Sequence, residues 1–406
     1  MKDLRRFING SVFKLLILAA LIKVFLFWWG YDNFNFNTYP AENWLTIWNR
    51  WDSKAYLTLA EEWYRAPSVD IGYRNFLSHF PPFYPAAILA VSLITGLSTF
   101  YSAVYVSFVS IILASYFLYK LVMLEFGDRN AAFYAVLLMN VYPTSYFTVA
   151  PYAESIYLFL AVASFYYLRK SSYAAAGLLG MCGILTRLQG IALYPSYVIY
   201  IIKKIPWYLL QTMPTCDLLL MPVSILSILK KIFSRWKAIF FLLLTPVLGV
   251  LIYLCINAAY YGGPAYFMEE YKTNIYSAKM LIVPGEEVFD SANKFLINSF
   301  TPVWDDQFMM TLGWGAVFTV TALFTVFLGV YQKIPLEYTA YSLSSIIFFA
   351  SYSWGISNAR YSLAAFPMFI VLSRIKDKTI VKLIAAVFFI LLLYFTKIYT
   401  SGVWAF

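Results

Sequence analysis

The sequence predicts an all-α protein, a polytopic bundle of membrane-spanning helices. Of its 406 residues, 62% are hydrophobic and only 12% are charged, whereas soluble domains carry about 25% charged residues. Long apolar stretches recur along the chain, and a backbone in hydrocarbon must satisfy its own hydrogen bonds in helices or a closed barrel. The sequence shows no sustained alternation of apolar and polar residues of the kind that barrel strands have. Helices are therefore expected.

The N-terminal segment sets the orientation of the bundle. Three of the first six residues are basic, which places the N-terminus in the cytoplasm. Val12–Trp29 is expected to be a retained first span, because Lys23 interrupts it and no small-residue cleavage site follows. The span leads into a first extracytoplasmic loop, residues 30–82. Within this loop, Asn43–Tyr64 has the composition of an amphipathic helix lying in the membrane interface.

The short apolar segment Ala86–Thr95 decides the orientation of everything after it. If the segment crosses the membrane, Arg169 falls outside. If it is re-entrant or interfacial, Arg129 and Arg169 both fall inside. The positive-inside rule favours the second arrangement, which also places Pro151–Ser155 on the same face as Asp52.

Further apolar stretches give about eleven spans in a single domain, residues 1–406. A second long extracytoplasmic loop covers residues 261–310, and Pro206–Trp236 is expected to lie at the cytoplasmic interface. The later spans are expected at Tyr101–Leu124, Ala131–Thr148, the stretch from Ser155 to Lys170, Tyr173–Ile202 with a break at Thr186–Gly190, Ala238–Tyr260, Thr311–Tyr331, Pro335–Trp354, Tyr361–Ser373 and Ile380–Tyr399.

Composition also argues against several functions. The net charge of +10 comes from basic clusters between apolar runs, as membrane topology requires, and does not indicate nucleic-acid binding. The three cysteines have no metal-binding spacing, and the chain has one histidine, His79. No glycine-rich nucleotide cradle is present.

Asp52 is the first candidate for catalysis. It lies between Arg50 and Lys54 in an aromatic stretch just after the first span. Burial would raise its pKa and the neighbouring cations would lower it, a balance that suits a general base. The alternative is a solvated salt bridge with Arg50 or Lys54, and Asp32 is a rival carboxylate.

Three more charged residues stand in apolar surroundings, where a charge must face a cavity or a partner. Glu154 either accepts a hydrogen bond from a substrate hydroxyl or pairs with Arg187, or it simply lies at the aqueous edge of the membrane. Arg187 and Arg360 suit bidentate recognition of a lipid phosphate, or else they reach headgroups or pair with carboxylates. His79, beside two prolines, either binds substrate or is an ordinary interfacial residue.

Several motifs then occur in a fixed order: Arg50-Trp51-Asp52, Phe80–Pro85, Asn140–Ser145 running into Tyr152–Ser155, Thr186–Gly190, Tyr261–Phe267, and Asn358–Tyr361 with Pro367. Together they resemble the motifs of the GPI mannosyltransferase 2 (phosphatidylinositol-glycan class V) family, part of the GT-C glycosyltransferases. The resemblance covers about Arg50 to Pro367 and implies that this chain is a prokaryotic, archaeal relative, which need not make GPI anchors. Leu188-Gln189 departs from the usual Ser-Asn before the glycine, and Pro81-Pro82 alters the aromatic-proline motif.

The resemblance implies an inverting transferase that takes a sugar, such as mannose from dolichyl phosphate mannose, from a polyprenyl-phosphate carrier. Asp52 would be the general base, Arg187 and Arg360 would hold the lipid phosphate, and Glu154 would line the pocket. A lipid or glycan acceptor would be used on the extracytoplasmic face of a cell membrane or the endoplasmic reticulum. The substrate-binding candidates are Arg50, Lys54, His79, Tyr152, Glu154, Arg187, Gln189, Arg360 and Tyr361.

No cofactor is required by this mechanism, although a divalent cation held by Asp52 and a second carboxylate is an open alternative. Two other functions also stay open. A transporter or flippase of lipid-linked sugars would line its path with Glu154 and Arg187, and a non-catalytic membrane partner would not need Asp52.

Overall fold

The computed structural model describes residues 10–34, 43–204, 236–273, 282–290, 293, 313–351 and 357–405. All regular secondary structure in these residues is helical, with short 3-10 turns between the helices. The helices are α1 (Ser11–Asp32), α2 (Asp52–Glu62), α3 (Ile71–Phe76), α4 (Phe83–Thr95), α5 (Thr99–Phe126), α6 (Arg129–Val141), α7 (Glu154–Arg169), α8 (Tyr173–Thr186), α9 (Leu193–Lys204), α10 (Trp236–Tyr261, with a π-helical turn), α11 (Tyr266–Thr273), α12 (Trp314–Tyr331), α13 (Leu336–Ala350), α14 (Asn358–Ser362), α15 (Pro367–Ser373) and α16 (Lys378–Thr400).

Five of the described helices are long and apolar enough to cross a membrane: α1, α5, α10, α12 and α16. Large apolar side chains on them remain exposed, for example Phe324, Phe327 and Ile390, and such surfaces fit contact with lipid. The predicted fold class, an all-α polytopic membrane bundle, is confirmed. The number of about eleven spans stays a prediction, and Pro206 to Arg235 lie outside the described residues.

One end of the bundle, here called the basic face, joins the last turns of α5, α7 and α9 to the start of α13. Arg169 pairs with Glu125 at 2.5 Å, and Lys203 pairs with Glu337 at 2.8 Å. Among the described residues, the helix ends and turns at this face carry a group of basic side chains, which are Arg129, Arg169, Lys170, Lys203, Lys204, Lys333, Arg374, Lys376 and Lys378.

The opposite end, here called the site face, joins the C-terminal ends of α1 and α16 to the start of α2. Trp29 Nε1 donates to the carbonyl of Leu393 at 2.9 Å, and the Tyr399 hydroxyl donates to the carbonyl of Trp48 at 3.0 Å. The last helix therefore closes over the chain that leads into α2.

Helix α4 does not run to the basic face. A three-residue turn at Gly96 joins α4 to the start of α5, and the Tyr84 hydroxyl lies 2.9 Å from Ser107 Oγ. Thus α4 lies antiparallel to the first part of α5 and returns to the site face. It meets the preceding helical segment, Ile71–His79, at a bend of 103°. This geometry supports the re-entrant interpretation of Ala86–Thr95.

Two predicted continuous spans are broken. The span predicted at Ala131–Thr148 ends as a helix at Val141, before Pro143, and that predicted at Tyr361–Ser373 is divided between α14 and α15. Both breaks are buried in the protein, where non-helical backbone is tolerated because protein groups can satisfy it. The break predicted at Thr186–Gly190 is confirmed, since α8 ends at Thr186 and a 3-10 turn follows.

The predicted interfacial helix Asn43–Tyr64 is also wrong as one helix. A 3-10 turn covers Thr46–Trp48, and α2 begins only at Asp52. Trp51, just before α2, has φ of 43°, an uncommon value for a residue with a side chain. The sharp turn there makes Asp52 the first residue of a helix.

Candidate active site

Four charged side chains from distant parts of the chain form one cluster at the site face. Arg360 Nη1 donates to Asp52 Oδ2 at 2.8 Å, and Arg360 Nε lies 3.2 Å from Glu154 Oε1. Arg187 Nη1 donates to the same Glu154 oxygen. The cluster therefore holds two carboxylates and two guanidinium groups, with Arg360 bridging both carboxylates.

Helix ends position these four residues. Asp52 and Glu154 are the first residues of α2 and α7, and Arg187 follows the last residue of α8. Carboxylates are favourable at helix N-termini and cations at helix C-termini, because they complement the helix dipole. Arg360 lies in the short helix α14. The helix breaks thus bring charge to one place without placing it inside a long span.

Aromatic rings enclose the arginines. The Arg360 guanidinium lies 5.3 Å from the centre of the Phe147 ring and 5.4 Å from that of Tyr152, and the Arg187 guanidinium lies 4.8 Å from that of Tyr361. Cation–π contact of this kind stabilises a guanidinium that has lost part of its water. Phe147 was not among the predicted site residues, because nothing in its local sequence marks it as different from a core residue.

Both arginines stay charged in this setting. A guanidinium group keeps its proton throughout the physiological pH range, and each of these two guanidinium groups lies against at least one carboxylate. The cluster can therefore present fixed positive charge at any physiological pH.

The carboxylates differ in accessibility. The Asp52 side chain is 21% exposed, whereas that of Glu154 is 5% exposed. Glu154 Oε2 is buried without a hydrogen-bond partner among the described residues, and so is Gln189 Oε1. These two residues help to line a cavity of about 10 Å³, which is room for about one water molecule. In this structure the charged side chains of the cluster contact one another and leave no larger space between them for a substrate.

Two further predicted residues lie against the cluster. Gln189 Nε2 donates to the carbonyl of Tyr361 at 3.2 Å, and the Tyr152 hydroxyl donates to the carbonyl of Arg50 at 3.0 Å. Gln189 thus ties the turn after α8 to α14. Tyr152, two positions before Glu154, ties the segment that enters α7 to the chain that enters α2.

The structure does not bring three of the predicted binding residues to the cluster. The Arg50 guanidinium donates to the carbonyl of Thr400 at 3.1 Å and does not pair with Asp52. Lys54 is exposed, and no ion pair to it is found in the described part of the chain. His79 Nε2 lies 3.0 Å from the carbonyl oxygen of Phe267 and binds α11 to the re-entrant segment. The local salt bridge considered for Asp52 is therefore replaced by one with Arg360.

Within the described residues, no group of three or more His, Cys, Asp or Glu side chains is arranged for a metal ion. The carboxylates of the cluster are instead engaged by arginines. Participation of a divalent cation stays a prediction.

No family model matches the chain, and no curated protein matches it. The crystal structure of the Archaeoglobus fulgidus oligosaccharyltransferase in the apo form is similar at 13% identity with a TM-score of 0.47, covering 98% of this chain and 57% of that one. Its complex with an inhibitory peptide and a dolichol-phosphate gives the same identity and TM-score, covering 98% and 56%.

ArnT from Cupriavidus metallidurans, bound to undecaprenyl phosphate, is similar at 13% identity with a TM-score of 0.34, covering 90% of this chain and 79% of that one. The chain thus spans little more than half the length of the oligosaccharyltransferase. Scores this low carry no argument about what this chain binds or transfers.

Proposed function

We propose that this chain is an integral-membrane glycosyltransferase that uses a polyprenyl- or dolichyl-phosphate sugar. The observation that carries the proposal is the cluster of Asp52, Glu154, Arg187 and Arg360, in which an accessible carboxylate adjoins two charged guanidinium groups. The motif resemblance supports mannose as the sugar, and the acceptor is a lipid or glycan.

The basic face is cytoplasmic under the positive-inside rule, so the cluster lies at the extracytoplasmic face. A carrier lipid keeps its phosphate where hydrocarbon meets water. The cluster lies at helix ends on one face of the bundle, close to the membrane boundary, and this is where the phosphate of a carrier lipid would lie.

Asp52 acts as the general base. An acceptor hydroxyl at its exposed edge gives its proton to the carboxylate as the hydroxyl oxygen forms a bond to the anomeric carbon. The bond from that carbon to the phosphate oxygen breaks, and the carrier leaves as a phosphate monoester. A single displacement with one base inverts the anomeric configuration, and a general base typically contributes about 10²–10⁴-fold.

Arg187 and Arg360 stabilise the charge that develops on the phosphate. The donor phosphate carries one negative charge before transfer and gains a second as the sugar leaves. Guanidinium groups bind phosphate oxygens with two parallel hydrogen bonds, and cations placed before the reaction are effective in a site with little water. Because both arginines are held by carboxylates in this structure, the phosphate must take over some of these contacts.

The test is sugar transfer from radiolabelled dolichyl-phosphate-mannose to membrane lipids or glycans by purified protein. We expect Asp52→Asn to reduce transfer by about 10²–10⁴-fold while leaving donor binding intact. Glu62→Gln is the matched control, because Glu62 ends the same helix but its carboxylate only accepts a hydrogen bond from the Ser68 amide at 3.0 Å.

Equal transfer by wild type and Asp52→Asn would exclude Asp52 as the base and direct the search to Asp32 or Glu154. If neither protein transfers mannose, the same assay is repeated with a panel of other polyprenyl-phosphate sugars as donors. A chain that moves lipid-linked sugar between leaflets without transferring any of the panel is a flippase, and that result would overturn the proposal.

A further inference from the structure

A cavity of about 520 Å³ opens at the basic face, at the other end of the bundle from the ion-paired cluster. Its volume falls within the range of small-molecule sites. It lies where α5, α7 and α9 end and α13 begins, so four helices form its walls. The charged residues that line this basic-face cavity are Glu125, Arg169, Lys203, Lys204 and Glu337.

The two acids of the basic-face cavity are buried and already paired. Glu125 accepts hydrogen bonds from Arg169 at 2.5 Å and from the Tyr338 hydroxyl at 3.2 Å. Glu337 accepts one from Lys203 at 2.8 Å, and Arg169 lies 3.6 Å from its other oxygen. The two acidic side chains are only 8% and 3% exposed. They therefore hold the cations in place and offer little negative charge to a ligand.

The cations of the cavity are more accessible than its acids. The side chains of Arg169 and Lys203 are 24% and 45% exposed, and Lys204 is exposed as well. In the part of the chain that the structure describes, Lys204 forms no ion pair, and its ammonium lies 5.5 Å from the centre of the Tyr200 ring. Three cations and two acids give the cavity a net charge of +1, and most of the accessible charge is positive. The cavity therefore favours an anion.

Apolar side chains lie next to these charges along the same helices. Leu124 lines the cavity together with Pro335. Leu124, Ile202 and Leu336 are between 44% and 51% exposed, and each precedes a charged residue of the cavity by one position. At the ends of membrane helices such side chains face acyl chains. An occupant of the cavity therefore meets apolar surface beside the cations, which suits a phospholipid better than a soluble anion.

The location of the cavity also favours a lipid. The basic face is cytoplasmic under the positive-inside rule, and anionic phospholipids give the cytoplasmic leaflet its negative surface potential. Basic pockets between membrane helices on that side are suited to lipid headgroups. Arginine and lysine both bind phosphate oxygens through charge-assisted hydrogen bonds.

We propose that the basic-face cavity binds the headgroup of an anionic phospholipid of the surrounding membrane. The lipid phosphate contacts Lys204, Lys203 and the remaining N–H donors of Arg169, and an acyl chain lies against Leu124. This lipid is not a substrate, and its site does not depend on the proposed glycosyltransferase function. Its binding joins the ends of four helices, including α7, whose other end carries Glu154.

Native mass spectrometry of the purified full chain in detergent tests this binding without turnover. The probe is phosphatidylglycerol, with phosphatidylcholine of the same acyl chains as the comparison. We expect phosphatidylglycerol to bind at least about fivefold more tightly, because one basic residue near a membrane surface contributes about that factor. For the same reason, Lys204→Gln should weaken its binding about fivefold, and Lys204→Glu, which reverses the charge, about 25-fold.

Arg129→Glu is the matched control, because Arg129 is exposed on the same face but does not line the cavity. It should bind phosphatidylglycerol as wild type does, and so should Lys204→Arg, which keeps the charge. Unfolding temperatures provide a second readout that also checks folding. Without lipid, the Lys204 variants should unfold at the wild-type temperature. Phosphatidylglycerol should raise that temperature for wild type and Lys204→Arg but not for Lys204→Glu, since a ligand stabilises the state that binds it.

Equal binding of the two lipids would overturn the proposal, as would wild-type phosphatidylglycerol binding by Lys204→Glu. If Arg129→Glu and Lys204→Glu lose equal affinity, the charge of the whole face attracts the lipid and the cavity is not its site. Displacement of phosphatidylglycerol by an equal concentration of glycerol 3-phosphate would show that a soluble phosphate occupies the cavity instead. None of these outcomes bears on transfer by Asp52→Asn, so this proposal and the proposed function fail separately.

Discussion

Arg360 is the residue on which the candidate site depends most. Its side chain is 5% exposed, and it joins Asp52 to Glu154 while aromatic rings cover its faces. Removing one partner from a buried ion pair is strongly destabilising, because a charge is left without compensation. Arg360 therefore holds the site together as well as offering charge to a phosphate.

We expect Arg360→Met to lower the free energy of unfolding by about 3–5 kcal/mol, because two carboxylates lose their shared cation. Arg360→Lys keeps a charge but cannot bridge both carboxylates with a planar fork. It should stay folded and lose about 10²–10³-fold in transfer. Thermal unfolding and the transfer assay measure the two effects.

Arg129→Lys is the matched control, because Arg129 is exposed at the start of α6. It should change neither stability nor transfer. An Arg360→Lys protein with wild-type transfer would show that the fork is unnecessary, and the phosphate would then be assigned to Arg187 alone.

At the scale of elements, the breaks between helices build the site. Sequence indicated the break at Thr186–Gly190, because an arginine and a glycine interrupt an apolar run there. It did not indicate the end of α6 at Val141, since Tyr142, Tyr146 and Phe147 are as apolar as a span. Hydropathy indicates that a segment is removed from water, but it does not distinguish burial inside the protein from contact with lipid. These three residues are buried inside the protein.

The packing of α8 on α10 depends on a glycine. A Cβ atom on Gly177 would overlap the carbonyl oxygen of Phe241 and lie 2.6 Å from its carbonyl carbon. Phe241 belongs to the π-helical turn of α10, and its carbonyl also accepts a hydrogen bond from the Thr245 hydroxyl. The two helices therefore approach closely only because position 177 has no side chain.

We expect Gly177→Ala to destabilise the protein by about 1–3 kcal/mol, the usual cost of overpacking. Because α8 ends beside Arg187, transfer should fall as well. Gly263→Ala is the control, since a Cβ atom there meets nothing within 4 Å. Unfolding temperatures of the two variants give the comparison, and equal temperatures would mean that α8 and α10 separate without cost.

For the whole molecule, the sequence predicted the fold class and named all four charged residues of the cluster as candidates, but it indicated only one of the pairings between them. It offered Arg50 or Lys54 as the partner of Asp52, because near neighbours are the only partners that spacing can indicate. The actual partner, Arg360, lies 308 positions away. A pairing of this range is decided by the three-dimensional packing of helices, which one sequence does not reveal. Glu154 was predicted as a partner for Arg187, and that pairing is confirmed.

The orientation of the whole bundle is the last prediction. If α4 is re-entrant and the basic face is cytoplasmic, the turn between α4 and α5 faces outside and the end of α7 faces inside. In a background without Cys182, Cys216 and Cys255, we expect a membrane-impermeant thiol reagent to label Leu97→Cys from the extracytoplasmic side.

Lys170→Cys should react only after the cytoplasmic side is opened to the same reagent. Each variant is the other's control, because both positions are at exposed helix ends. Labelling of both from one side would mean that α5 does not cross the membrane, since Leu97 precedes α5 and Lys170 follows the Arg169 that pairs with Glu125 at the end of α5. Labelling with the sides exchanged would place the cluster in the cytoplasm, where a carrier sugar exposed on the outer face could not reach Asp52.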